Sequence, residues 1–123
     1  GKRWRIGVQH PSGHGLYAAM AVENEGVATS GNYEKFFILD RQRYHHILDP
    51  RTGRPARGAS STTVIAKSAA EADAYATGLF VMGPDDGTAF AESHKGVEVL
   101  FFREDFSTKA SSGIEGRLKP LPQ

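Results

Sequence analysis

The sequence predicts an α+β fold: an antiparallel sheet with one principal helix and a shorter second helix packed on it. Three observations carry this. Half-buried strand patterns with short polar or glycine-containing connections fill the first half of the chain, and short connections mean antiparallel pairing. One long alanine-rich segment after residue 67 carries helix signals at both ends. Apolar, β-branched segments then return, Val97 to Phe102 most clearly.

The elements follow in order. From Arg3 to Gln9, Trp4, Ile6 and Val8 alternate with Arg3, Arg5 and Gln9, the pattern of a strand with one buried face. His10-Pro11-Ser12-Gly13-His14-Gly15 is a turn-forming loop. Leu16 to Val22 is a second strand, and Glu23-Asn24-Glu25-Gly26 turns into a short third one, Val27 to Ser30, broken at Gly31-Asn32. Tyr33 to Leu39 and Arg43 to Leu48 form a hairpin around Asp40-Arg41-Gln42. That second arm must leave the sheet at Asp49-Pro50, since proline lacks an N–H and holds its predecessor extended. Pro50, Gly53 and Pro55 then stiffen a loop from which Arg51, Thr52 and Arg54 project. Alternation puts Tyr44, His46 and Leu48 on one side and His45 and Ile47 on the other, so the two histidines do not share one metal ion.

Thr62 to Ala66 is a β-branched strand. Ser68, with Glu71 three residues on, makes a capping box; alanines at 69, 70, 72, 74 and 76 favour a slim helix, and Gly83-Pro84 stops it. A second helix runs from Asp85 to about Ser93, followed by strands at Val97 to Phe102 and Phe106 to Ala110. Residues 111–123 are weakly patterned. Their Ile114-Glu115-Gly116-Arg117 matches a protease site used in recombinant fusions and takes no functional reading.

Composition bounds the rest. A chain of 123 residues is one domain, and its 39% hydrophobic and 24% charged shares are ordinary for a globular protein. The net charge of +1, with acids and bases interspersed, gives no general reason to bind nucleic acid or membrane. With no cysteine there is no disulfide, thiolate zinc site or cysteine nucleophile. No apolar run approaches the roughly 18 residues of a membrane helix. No signal-peptide pattern stands at the start. The first residues read as a strand already under way, without an initiator methionine, so a piece of a longer chain is expected.

Asp73 and Thr77 lie four apart on the principal helix, hence on one face a turn apart. Together they present two hard oxygens of the kind Mg²⁺ prefers, often with substrate phosphate completing the shell. Phe80 continues the stripe and alanines flank it, so this face is expected to be buried, where a carboxylate needs a partner. The alternative is a solvated acid beside a threonine packed by its methyl. His46 is either a hydrogen-bonded, half-buried strand residue or a ligand contact and acid/base group. Ser30, at a strand end before Gly31, is the serine to test as a nucleophile, but it lacks the Gly-x-Ser-x-Gly setting. A glycine there more often marks a bulge or a close ligand approach. Arg51, Arg54 and Arg57 could reach phosphate or be solvated. His10 and His14 make an improbable metal site, and His94 fits a helix end. There is no P-loop and no dinucleotide glycine fingerprint.

Four runs, in order, resemble the ApbE family: Thr29-Ser30-Gly31-Asn32-Tyr33; the Tyr44 to Pro55 segment with its His46-Ile47-Leu48-Asp49-Pro50-Arg51-Thr52-Gly53 core; Thr63-Val64-Ile65-Ala66; and Ala72 to Gly83 with its Asp73-x-x-x-Thr77 pair. The resemblance implies half of a T-fold-like domain and an FAD:protein FMN transferase. Such an enzyme cleaves the FAD pyrophosphate with Mg²⁺, transfers FMN to a threonine or serine of a partner flavoprotein, and releases AMP. It implies Asp73 and Thr77 as metal ligands, His46 and Asp73 as catalytic residues, and Ser30, Gly31, His46 and Ile47 as contacts to the flavin nucleotide. Asp49 and Gly53 read first as turn-makers. The family's proteins are longer, and their first half, which supplies much of the FAD pocket, has no counterpart here. The expectation is therefore a C-terminal portion, with self-association through the face that half would cover. By resemblance the parent is a bacterial periplasmic, inner-membrane lipoprotein. The alternatives are a non-catalytic FAD-binding or partner-docking module and a structural oligomerisation domain.

Overall fold

The structure, a computed structural model, describes residues 4–12, 15–31, 36–39, 42–45, 48–49, 51, 54–55 and 58–120, with backbone alone in 4, 36–39, 42–45, 48–49, 54–55 and 120. The strands are β1 (Trp4–Gln9), β2 (Leu16–Val22), β3 (Gly26–Gly31), β4 (Phe36–Leu39), β5 (Gln42–His45), β6 (Leu48–Asp49), β7 (Arg54–Pro55) and β8 (Ala59–Ala66). After them come helix α1 (Ala69–Met82), helix α2 (Pro84–Ser93), β9 (Glu98–Arg103), β10 (Thr108–Ala110), the short helix α3 (Ser112–Glu115) and β11 (Lys119–Pro120).

Two sheets stack face to face. One is ordered β10-β9-β8-β3 and the other β1-β2-β11, every pairing antiparallel. The sheet at the centre is covered on both sides. On one side, Val64, Ala66, Val99 and Phe101 pack against Ala72, Ala76, Leu79 and Phe80 of α1 and Ala91 of α2. On the other, Ile65, Leu100 and Phe102 meet Val8, Met20 and Val22 of the second sheet and Ile114 of α3. Every residue of β8 is buried in consequence. That explains a run of β-branched residues without polar alternation: a strand covered on both faces has no solvent side to make polar. The fold is α+β, as the pattern predicts, with helices, central sheet and outer sheet as three layers.

Several boundaries move by one to three residues, and two features differ in kind. The turn after Val22 joins β2 to β3, yet these strands belong to different sheets, so it turns a corner between layers instead of closing a hairpin. Asn24 takes the left-handed conformation there, with φ 56°, which asparagine tolerates. The weakly patterned tail folds as well. Ile114 is fully buried, Ser111 hydrogen-bonds the Val99 N–H and the Glu98 carboxylate, and Lys119–Pro120 pairs with Ala19 and Ala18 of β2. Proline is acceptable on such an edge. β4 and β5 pair as the expected hairpin, with Gln42 opposite Leu39, but Leu48, expected at the end of the second arm, pairs with Pro55 in the short β6–β7 ladder.

Candidate functional site

Helix α1 starts where the local chemistry says it should. Ser68 is extended and its Oγ accepts the Glu71 N–H at 3.2 Å. The helix ends at Gly83, whose φ of 90° suits only glycine and whose N–H reaches the Leu79 carbonyl at 3.0 Å. It crosses β3 and β8 at close range. At Gly26 of β3 a Cβ would run into the backbone of Ser68 and Ala69, so the helix lies there because the strand has no side chain.

The buried stripe of α1 is Ala72, Ala76, Leu79 and Phe80. Asp73 and Thr77 stand one residue round from it and are exposed. This corrects the expectation of a buried face: Phe80 is fully buried, but at seven residues on it has drifted about 20° from the line through Asp73, and the alanines at 72 and 76 are what meet the sheet. A solvated carboxylate carries no obligation to find a partner. The Asp73 carboxylate has none among the described residues, and no group of three or more His, Asp or Glu among them could hold a metal ion.

Thr77 is held from below. Its Oγ1 lies 3.2 Å from Ser30 Oγ, bridging α1 to the last turn of β3. Register explains how Ser30 gets there. In the β3–β8 ladder Ala28 pairs with Val64 and Ser30 with Thr62, and this parity faces α1. The opposite parity, Val27 with Ile65 and Thr29 with Thr63, faces the second sheet. The Thr29 and Thr63 hydroxyls hydrogen-bond across the ladder at 2.9 Å. Ser30 and Thr62 do not. Ser30 turns up to the helix, and Thr62 Oγ1, in a residue with no exposed surface, has no partner among the described residues. Leaving such a hydroxyl unpaired costs on the order of 1–3 kcal/mol. Thr62 is the residue that sequence reading missed; nothing in a β-branched run marks which member will face a serine across the ladder.

Gly31, buried, closes β3 beside Ser30. His46 and Ile47 lie outside the described residues, as do His14, Thr52, Gly53 and Arg57. The chain leaves the central sheet after Gly31 and rejoins it at Ala59, and Gly31 pairs with Ser61. His10 and His94 have packing roles. His10 touches the rings of Phe102 and Phe106, with centroids 5.2 and 5.3 Å apart, and its Nδ1 bonds Ser12. His94 stacks on Phe90 at 3.8 Å and bonds its carbonyl at the end of α2. Arg51 is exposed.

The fold is that of solved flavin transferases. The ApbE protein of Thermotoga maritima superposes with a TM-score of 0.86 at 39% identity, over 95% of this chain and 38% of its own. The flavin transferase ApbE of Vibrio cholerae gives 0.74 at 36% identity, again over 95% and 38%. The ApbE family model matches residues 1–101, and the chain belongs to that family. Among curated relatives, the FAD:protein FMN transferase of Treponema pallidum is 40% identical over 121 residues, 96% of this chain and 33% of its own length. The chain spans about a third of the length of such relatives.

Proposed function

We propose that this chain carries the metal-binding part of a Mg²⁺-dependent FAD:protein FMN transferase, which moves FMN from FAD to a threonine or serine of a partner protein and releases AMP. The observation that supports it most is the pair of oxygens on the open edge of α1, Asp73 and Thr77, with Thr77 anchored by Ser30, in a chain whose relatives are named for this reaction.

The donor set fits a hard divalent cation. One carboxylate without a competing partner among the described residues and one hydroxyl, both open to solvent, leave room for waters and phosphate oxygens, the arrangement Mg²⁺ favours. Bound there, the ion supplies charge neutralisation at the pyrophosphate and a template for in-line displacement. Asp73 contributes the negative charge and Thr77 a neutral oxygen. Gly31 presents bare backbone beside Ser30, and Ser30, Gly31, His46 and Ile47 are assigned to the flavin nucleotide. The acceptor oxygen forms its bond to the FMN phosphorus as the bond to the AMP oxygen breaks, and the acceptor's proton passes to a base. An imidazole with a pKa near neutrality is suited to that, and His46 takes the role.

The test uses the complete protein with FAD, Mg²⁺ and an acceptor protein, reading flavin fluorescence on the acceptor and AMP release. Removing several kcal/mol of charge stabilisation should slow transfer more than about a hundredfold in Asp73→Ala. An unchanged rate would remove Asp73 from the reaction. FAD retained with no AMP released, in the unaltered protein, would instead favour a binding module. The same reading places the parent at the bacterial inner membrane as an exported lipoprotein, which cell fractionation checks. It also has this chain alone self-associating, which sedimentation would contradict by showing a monomer.

A further inference from the structure

A hydroxyl that binds a cation through a lone pair must send its proton elsewhere, because threonine has one O–H and two lone pairs. The structure supplies the acceptor. Ser30 Oγ lies 3.2 Å from Thr77 Oγ1 across the α1–β3 contact. Ser30 reaches it from the one ladder position where the cross-strand hydroxyl pair is not made. Thr29 and Thr63, one step away, bond each other at 2.9 Å, whereas Thr62, opposite Ser30, is left buried and unpartnered among the described residues. A serine serving only the sheet would satisfy Thr62. This one faces the helix instead.

Resting on the functional reading above, we infer that Ser30 is a positioning residue for Thr77: it accepts the Thr77 proton, turning that oxygen's lone pairs out to the solvent edge beside Asp73, and the unpaired Thr62 hydroxyl is what this diversion leaves behind. Groups that orient a metal ligand from behind are commonly worth ten- to a hundredfold in metal affinity.

The experiment titrates the complete protein with Mn²⁺ alone, as a paramagnetic stand-in for Mg²⁺, and follows binding by electron paramagnetic resonance and calorimetry. Thermal midpoints without metal are recorded alongside. Asp73→Ala should abolish binding. Ser30→Ala should weaken it about tenfold or more without lowering the metal-free midpoint, and Ser30→Thr, which keeps the hydroxyl, should restore it. Thr62→Val should leave affinity unchanged, since it removes a hydroxyl that touches no ligand. If Asp73→Ala fails to bind while Ser30→Ala binds as tightly as the unaltered protein, the positioning role is wrong and the metal assignment stands. Equal weakening by Thr62→Val and Ser30→Ala would also overturn it, by tracing the effect to strand packing. Mn²⁺ binding unaffected by Asp73→Ala would overturn the functional reading and this inference with it.

Discussion

Gly26 and Thr62 are residues of β3 and β8 whose roles depend on what lies across from them. A methyl group at Gly26 would meet backbone atoms of Ser68 and Ala69, which cannot swing aside as a side chain could. Gly26→Ala should therefore destabilise by about 3 kcal/mol, the upper end for an overpacking substitution. A urea melt measures this, and an unchanged midpoint would mean that α1 sits farther from β3 than described. Thr62 behaves in the opposite sense. Its hydroxyl is buried and unpaired among the described residues, so replacing it with an isosteric methyl in Thr62→Val should raise the midpoint, because removing an unsatisfied buried group can stabilise. Neither property was legible in the sequence. Gly26 reads there as an ordinary turn glycine and Thr62 as an ordinary strand residue; only the neighbour across the layer gives them meaning.

At the scale of elements, α1 shows which sequence signals can be trusted. Its cap, its alanines and its stop are local, acting within a few residues, and Ser68 and Gly83 do what their positions announce, while the Glu71 carboxylate lies 3.7 Å from Lys67 Nζ and only its backbone N–H meets Ser68. Ser68→Ala should cost about 1 kcal/mol through the lost acceptor for the Glu71 N–H, and chemical denaturation would show it. An effect near zero would mean that water caps the helix equally well. Which face of α1 is buried was less legible. The alanines at 69, 70, 72, 74 and 76 make nearly every side of the helix thin enough to pack, so composition could not choose among faces. The sheet chose Ala72, Ala76, Leu79 and Phe80, leaving Asp73 and Thr77 at the open edge, where a cation and its phosphate ligands could reach them. The strand at Trp4–Gln9 was legible because apolar and polar residues alternate along it, and Leu16–Val22 because turn residues bound an apolar run. The helix in the tail was not, because Ser112–Glu115 is a single helical turn whose one buried anchor is Ile114.

Over the whole molecule, that tail closes the structure. Arg117 forks onto Glu25 with nitrogen–oxygen distances of 2.7 and 3.1 Å and donates to the Ala21 carbonyl at 2.7 Å, tying the end of the chain to the corner between the two sheets. The Arg117 guanidinium, by its hydrogen bonds first, holds the Glu25 carboxyl below the usual glutamate range, against a smaller opposing effect of burial. A carboxylate whose folded pKa is depressed contributes stability above its unfolded pKa of about 4.3 and loses it as pH falls through the lower folded value. The pair is partly solvated, each side chain 29% exposed, so the contribution is at most about 1 kcal/mol. Arg117→Ala should therefore lower stability near neutral pH by no more than that, with the difference from the unaltered chain vanishing in acid. Denaturant melts across that range would check it; a constant difference would mean that Arg117 acts by packing alone.

The order of strands and helices, the ends of α1 and the motif runs that mark the family are consequences of local chemistry: caps, turns, periodicity and residue types at short spacing. Those were readable from the chain. What the tertiary structure decided was which faces meet. It split neighbouring strands β2 and β3 between two sheets, set the register that puts Ser30 opposite Thr62, and turned Ser30 toward Thr77. Each depends on contacts between residues tens of positions apart, and side-chain pattern along a chain does not encode register between strands. Asp73 and Thr77 could be proposed as a metal site from their spacing; the serine behind Thr77 became visible only when the helix was laid on the sheet.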